Sequence, residues 1–190
     1  MDENKWFSDE NVIQKSKKAY AHFDLRTNVV KARKYITNPD KIKHHGFYPF
    51  IKYVMRYDRF HKVNGKLAFD PKEREICYSA HIDRCIYQYY SALLNEKYNL
   101  RLKHDGINNV PVAYRTDLHC NNIDIFRQAI DFIRECQSCY VMIGDFTDFF
   151  DKINHQYLKR QLCNLLGIKR LKPDYYAVFK SITQYSTCLL

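Results

Sequence analysis

The stretch Cys139–His155, CYVMIGDFTDFFDKINH, decides how the rest of the chain is read. Cys139–Ile143 is a short apolar, β-prone run, the composition of a strand buried on both faces. It ends on a carboxylate, Asp145, just after Gly144. Asp148 and Asp151 follow, around the aromatic pair Phe149-Phe150. A helical pattern then begins near His155, with Leu158, Leu162, Leu165 and Leu166 forming one apolar stripe. A buried strand that delivers an acid to its C-terminal end, directly ahead of a helix, is a recurrent way to hold a metal or a phosphate.

This order of residues resembles motif A of reverse transcriptases of the bacterial kind, which includes group II intron, retron and phage-defence enzymes. In that motif an Asp ends a palm strand, an aromatic stands five positions later and a short helix follows. Asp145, Phe150 and the helix after His155 take those places. The resemblance implies that Asp145 is catalytic and holds magnesium ions together with the backbone carbonyl of Phe146. It also implies that the amides around Asp148 and Phe149 run along a triphosphate, and that Phe150 is the steric gate beneath the sugar.

Elementary chemistry is compatible with that picture. Nucleotidyl transfer uses two divalent cations, about 3.5–4 Å apart, on the attacking and leaving oxygens. Magnesium takes few protein carboxylates and leaves room for phosphate oxygens. A ring under the sugar excludes a 2′-hydroxyl by volume. Read without the resemblance, Asp148 and Asp151 are solvated turn residues and Phe149-Phe150 are core. Asp151 is taken in that plain sense, as an acid at a helix N-terminus. Asp145 is not, because an unpaired acid beside so apolar a strand is costly without a cation.

The whole chain sets the bounds. It has 190 residues, enough for a real core and for one domain or one and a half. Its hydrophobic content of 46% excludes wholesale disorder. A formal charge of +10 and an aromatic content of 15% fit a nucleic-acid partner, since cations meet phosphate and rings stack on bases. They equally fit a basic protein with an aromatic core. Seven scattered cysteines, an odd number with no framework, read as reduced thiols. The polar, acidic start MDENKWFSDEN is neither secretory nor lipidated, and no run approaches the ~18 apolar residues of a membrane span. A cytoplasmic protein without membrane partners is expected.

In chain order, Ser8 is expected to cap a helix through about His22, and a second helix carries Val29, Val30, Ala32 and Ile36 until Asn38-Pro39 stops it. His44-His45 lacks a partner cluster and reads as surface or as a loop contact to nucleic acid. Asn64-Gly65 signals a hairpin between Arg59–Val63 and Lys66–Phe69. Asp70-Pro71 predicts a further turn, and Arg74–Ser79 a further strand. A helix follows from about Asp83 to Tyr98, its stripe of Ile86, Tyr89, Tyr90, Leu93 and Leu94 assigned to core. Asn121 or Asn122 caps another, with Ile123, Phe126, Ile130 and Ile133 as its buried side. Cys136 and Cys139 are two incidental thiols, because zinc needs four ligands.

Two of these segments extend the resemblance. Arg74–Leu94, REICYSAHIDRCIYQYYSALL, is similar to the fingers segment in which an Arg closes a strand ahead of an Asp-Arg pair that opens a helix. By that match Arg74 grips the incoming triphosphate, with Lys72 as helper and Lys66 as the alternative to it, while Asp83-Arg84 fixes the strand-to-helix junction. Ala113-Tyr114-Arg115 resembles the element where the family's fingers approach the template, so Tyr114 and Arg115 are nucleic-acid-binding candidates. Past motif A, Gly167 and Lys172-Pro173-Asp174 separate two more helical stretches.

The expected fold is therefore α+β: right-hand polymerase fingers, helix-rich with a β-hairpin, feeding into the first part of a palm. The expected organisation is a helical extension over 1–38, fingers over 39–135 and the start of the palm over 136–190. The implied activity is RNA-directed DNA synthesis with Mg2+, an RNA template, a DNA or RNA primer and deoxynucleoside triphosphates. An anti-phage role is favoured over an intron or retron role. The later acidic segment of the family is not found after Asp145, so this chain by itself is expected to be inactive. A non-catalytic RNA-binding module is the alternative.

Overall fold

Long paired strands form where a tight turn brings complementary residues into register, and Asn64-Gly65 supplies that turn. Both residues have positive φ, 51° and 79°, the geometry of the two-residue turns that match strand twist. In the computed structural model, which describes residues 1–115, 117–150 and 152–189, the turn joins β1 (Phe50–Val63) to β2 (Lys66–Tyr78). The hairpin is longer than the sequence suggests. Asp70-Pro71 makes no turn, and Arg74 lies on the same strand as Lys66. Pro71 opposes Asp58. Counting from the turn, that is a pair without ladder hydrogen bonds, so the missing N–H costs nothing on this edge strand.

The protein is mixed α+β and helix-rich, with one three-stranded sheet in the order β2-β1-β3. The third strand, β3 (Thr187–Leu189), runs parallel to β1 beside Phe50–Lys52. No pattern in the sequence announces it. The chain divides into two compact units, Met1–Ala92 with Lys172–Leu190, and Leu93–Leu171.

In the first unit, the N-terminal helix expected from Ser8 to His22 is instead two short ones. They are α1 (Glu3–Ser8), capped by Asp2, and α2 (Glu10–Ser16), capped by Asp9. Asp9, next to Ser8, is in extended conformation and caps α2 in its place, which breaks the helix there. Residues 17–28 are not helical. Asn28 caps α3 (Val29–Ile36), whose Val29, Ala32 and Ile36 are buried, and Asn38 caps α4 (Pro39–Lys43) with proline in its first turn. α4 packs on α8 (Pro173–Thr183). Ala80, the residue ahead of the long α5 (His81–His104), offers no side-chain cap. Asp24 supplies one from afar, its two oxygens accepting from the backbone N–H of His81 at 3.0 Å and Ile82 at 2.8 Å. Tyr89 and Tyr90 of α5 are core, as their spacing predicts. Tyr90 donates to the buried Asp174 at 2.7 Å.

His45 is not a surface residue. Its Nε2 lies 2.7 Å from Asp83 and its Nδ1 2.8 Å from the Tyr35 hydroxyl. The other Asp83 oxygen accepts from the Tyr48 N–H at 2.9 Å. Asp83 thus fixes the start of α5 against the preceding loop, the junction role its position suggests.

The second unit carries α6 (Asn122–Glu135) and α7 (His155–Leu166). Asn121 and Asp124 form a complete capping box on α6, and Asn154 caps α7, which ends on Gly167 at φ 66°. Two expectations fail here. Cys139–Ile143 pairs with no strand among the described residues, and Met142 and Ile143 are 97% and 92% exposed. The α6 stripe is not buried either, with Ile123 and Phe126 exposed. Composition sets which residues favour burial, but a buried strand needs neighbours on both sides and a buried stripe needs an opposing face. Neither run has them among the described residues.

Candidate functional site

The hairpin sorts its charges by face. Side chains alternate along paired strands, so one face carries Tyr53, Tyr57 and Arg59 of β1 with Arg74, Lys72 and Lys66 of β2. Four cations share that face with one acid, Asp70, which lies 3.4 Å from His61. On the other face three cations meet three acids, and ion pairs join Lys52 to Glu75 at 2.7 Å and Arg56 to Glu73 at 2.6 Å. These exposed pairs add little stability, yet they cancel the field on their side. The first face stays cationic. Its Arg74 guanidinium stands 5.5 Å from the centre of the Tyr57 ring, close enough for a cation–π contact. Near the base of the hairpin Tyr53 stacks on Tyr78, and Tyr78 on Tyr20. The basic face is therefore anchored in the core at one end and exposed at the other. Lys72 opposes Tyr57 and Arg74 opposes Met55, so the two candidate phosphate ligands are neighbours on one strand.

The acidic turn belongs to the second unit. Asp145 is exposed at the end of the extended apolar run, and no ion pair engages it among the described residues. Thr147–Phe150 is a turn, with Asp148 in the left-handed region at φ 54°. The Asp148 carboxylate pairs with Lys152 at 3.0 Å. Phe146 and Phe149 lie 6.0 Å apart and Phe149 and Phe150 5.3 Å, a small exposed aromatic cluster beside the acid. Asp151 lies outside the described residues. No group of three His, Cys, Asp or Glu side chains able to hold a metal occurs among the described residues. The Asp145 carboxylate and Phe146 carbonyl are oxygen donors suited to a magnesium ion that also takes water and substrate phosphate, and do not make an all-protein cage.

No protein-family model and no curated protein matches this sequence.

Tyr114 and Arg115, adjacent in sequence, differ in what they leave free. Tyr114 is exposed with φ 59°, and its carbonyl accepts from Asn95 Nδ2 at 2.9 Å. The Arg115 side chain is shielded from solvent. It donates to both Asp117 oxygens at 3.0 and 2.7 Å, to the Asn108 side chain at 2.9 Å, and to the carbonyls of Asn108 and Pro111. Hydrogen bonding to Arg115 holds the Asp117 carboxyl below the ordinary carboxylate range. Arg115 therefore organises its own loop, and of the two side chains the Tyr114 ring is the exposed one. Lys66 was the other helper the sequence offered for Arg74, whereas Arg59 and Tyr57 were missed as its neighbours on this face. The hairpin signal at Asn64-Gly65, extended by two-residue alternation, was enough to place all of them on one face.

Proposed function

We propose that this chain forms the fingers and the beginning of the palm of a bacterial-type reverse transcriptase. The observation that carries the reading is the one-sided charge of the hairpin, with Arg74 and Lys72 unneutralised where the motif order asks for triphosphate ligands. The one-sided face suits phosphate: guanidinium forks match phosphate oxygens, and Tyr57 and Tyr53 offer rings beside them. Arg59 and Lys66 extend the track along which a template RNA strand would run.

Asp145 and the Phe146 carbonyl would hold magnesium in this reading. When bound, the ion would stabilise charge developing on the transferred phosphoryl group. Asp148 and Phe149 would orient the triphosphate through their backbone amides, and Phe150 would exclude a ribose 2′-hydroxyl. A cytoplasmic enzyme acting in phage defence is the setting this proposal favours. Among the described residues no helix is long and apolar enough to cross a membrane.

The test is binding of a 5′-hydroxyl single-stranded RNA, followed by fluorescence anisotropy across a salt series. Four cations on one face give an expected slope of log K against log salt of about −2 to −3. Arg74→Ala removes about 0.7 from that slope. Glu73→Ala, which frees Arg56 on the opposite face, leaves tight binding in place. RNA binding unaffected by Arg74→Ala together with Arg59→Ala defeats the proposal. The second reading, an RNA-binding module without catalysis, is favoured by the hairpin face being complete without Asp145. Magnesium-dependent ultraviolet crosslinking of a photoreactive deoxynucleoside triphosphate separates the two. The polymerase reading requires it to fall with Asp145→Ala, and the module reading requires no change.

A further inference from the structure

The loop 17–28, KKAYAHFDLRTN, lies between α2 and α3 and belongs to neither helix. Its two ends are pinned together. The buried Ser16 hydroxyl donates to the Ile13 carbonyl at 2.7 Å and accepts from the Val29 N–H at 3.3 Å. Its middle is anchored to α5: the Tyr20 hydroxyl donates to the Ser79 carbonyl at 2.8 Å, and the His81 ring stacks on Tyr20 with its Nε2 on the Tyr20 carbonyl. Asp24, the only acid in the loop, turns inward to cap α5. What remains outside is cationic. Lys17, Lys18, Arg26 and Lys31 line one cleft of about 300 Å³, walled on one side by Thr27 and Asn28. None of the four is ion-paired among the described residues. Arg26 crosses the loop to donate to the Ala19 carbonyl at 2.5 Å, which fixes its guanidinium. Arg84 donates to the Thr27 carbonyl at 3.3 Å, and its buried Nε and Nη1 have no hydrogen-bond partner among the described residues.

We infer that this cleft binds an oligophosphate group, at a site separate from the hairpin face. Four cations, three on the pinned loop and Lys31 on α3, with the local acid withdrawn, repel one another unless an anion lies between them. The volume is at the lower end of small-ligand pockets, which run from about 300 to 1,000 Å³. That suits a compact anion better than a long strand. Charge points the same way. A phosphodiester link carries a single negative charge, and a terminal phosphate about one and a half to two. A chain of phosphates concentrates enough charge in this volume to meet four cations. The source is either a free oligophosphate or a triphosphorylated RNA 5′ end, and the chemistry recognised is the same.

The experiment is isothermal titration calorimetry of the full chain with sodium tripolyphosphate, at low salt and without divalent cations. Saturable binding at one site is expected, weakened at least tenfold in the double variant Lys18→Glu, Lys31→Glu. Both side chains are exposed, and a circular dichroism spectrum identical to that of the parent confirms that the variant is folded. Lys18→Gln with Lys31→Gln is the milder companion and loses part of the affinity. Lys169→Glu, which removes an equal charge per site elsewhere, leaves binding unchanged. Competition with short RNAs identifies the source. Displacement by a 5′-triphosphate oligonucleotide and not by its 5′-hydroxyl twin indicates an RNA end, and displacement by neither indicates a free oligophosphate. Absence of saturable binding, or binding indifferent to the Lys18 and Lys31 substitutions, overturns the inference. Because the hairpin reading is tested with a 5′-hydroxyl RNA and the Arg74 and Arg59 variants, indifference to the Lys18 and Lys31 substitutions leaves it standing.

Discussion

Asp83 shows how much one buried side chain settles. At 1% exposure it holds the His45 ring with one oxygen and the Tyr48 N–H with the other. Asp83→Ala leaves the His45 ring and the part-buried Tyr48 N–H without their acceptor, at roughly 1–3 kcal/mol each. A loss of about 2–5 kcal/mol in urea-unfolding stability is expected, and a change below 1 kcal/mol shows that water replaces the carboxylate. Cys85 gives a second prediction. Burial pushes its thiol up to about 11, so at pH 8 roughly a thousandth of it is thiolate. Iodoacetamide at that pH should label the exposed Cys77, Cys120 and Cys139 in the native protein and spare Cys85, with mass spectrometry of the digested protein as the readout. Neither role was visible in the amino-acid string. An Asp followed by Arg at a helix start is common, and only the approach of His45 from 38 residues away turns Asp83 into a clamp.

Among the elements, α5 concentrates the alkaline sensitivity of the fold. Burial pushes the Tyr87 phenol up to about 12, and Tyr89 and Tyr90 are raised further, first by burial and then by hydrogen bonds to Glu3 and Asp174. An unfolded tyrosine titrates near 10. The folded state therefore holds protons that the unfolded chain releases, and stability is complete below about pH 10 and falls as pH rises towards 12. Unfolding midpoints measured from pH 8 to 12 should decline only above about 10. In Tyr90→Phe, which also strips Asp174 of its donor, the alkaline decline should be shallower while neutral stability is lower. Elements decided by one or two backbone positions were legible in the sequence: the Asn64-Gly65 turn, the Asn38-Pro39 boundary, the Asn121 cap and the Gly167 stop. Those that depend on a distant partner were not. β3 is three residues long and exists because Phe50 offers an edge, while Cys139–Ile143 has a strand's composition and no ladder. For the candidate site, Lys72 and Arg74 could be named from order alone. Their isolation from the Lys52–Glu75 and Arg56–Glu73 pairs required the register.

For the whole molecule, the uneven distribution of burial matters most. Nearly all buried apolar residues are in the first unit; Leu102, Cys163 and Leu171 are the buried ones described in the second. The second unit also exposes Phe126, Phe132 and the Tyr140–Ile143 run. Large exposed apolar side chains in such number promote association where they come together. Phe126→Glu with Phe132→Glu is expected to lower light scattering on concentration while leaving the unfolding midpoint within about 0.5 kcal/mol of the parent. Brief chymotrypsin treatment should cut first between Tyr140 and Phe150, where the backbone is extended or turning and exposed. Early cleavage within β1 or α5 instead would mean that the first unit is the looser one.

The pairing of β3 with β1 has a consequence for how this protein is made. Phe50 and Cys188 are joined across 138 residues. A ribosome adding about 5–20 residues per second needs roughly 7–28 s to deliver the second partner after the first has emerged. During that interval the hairpin can form but one side of β1 stays open, a template for any passing extended chain. Nascent copies on one message would be most prone to cross-pairing in that window, and a chaperone holding the Phe50–Lys52 edge would serve them best then.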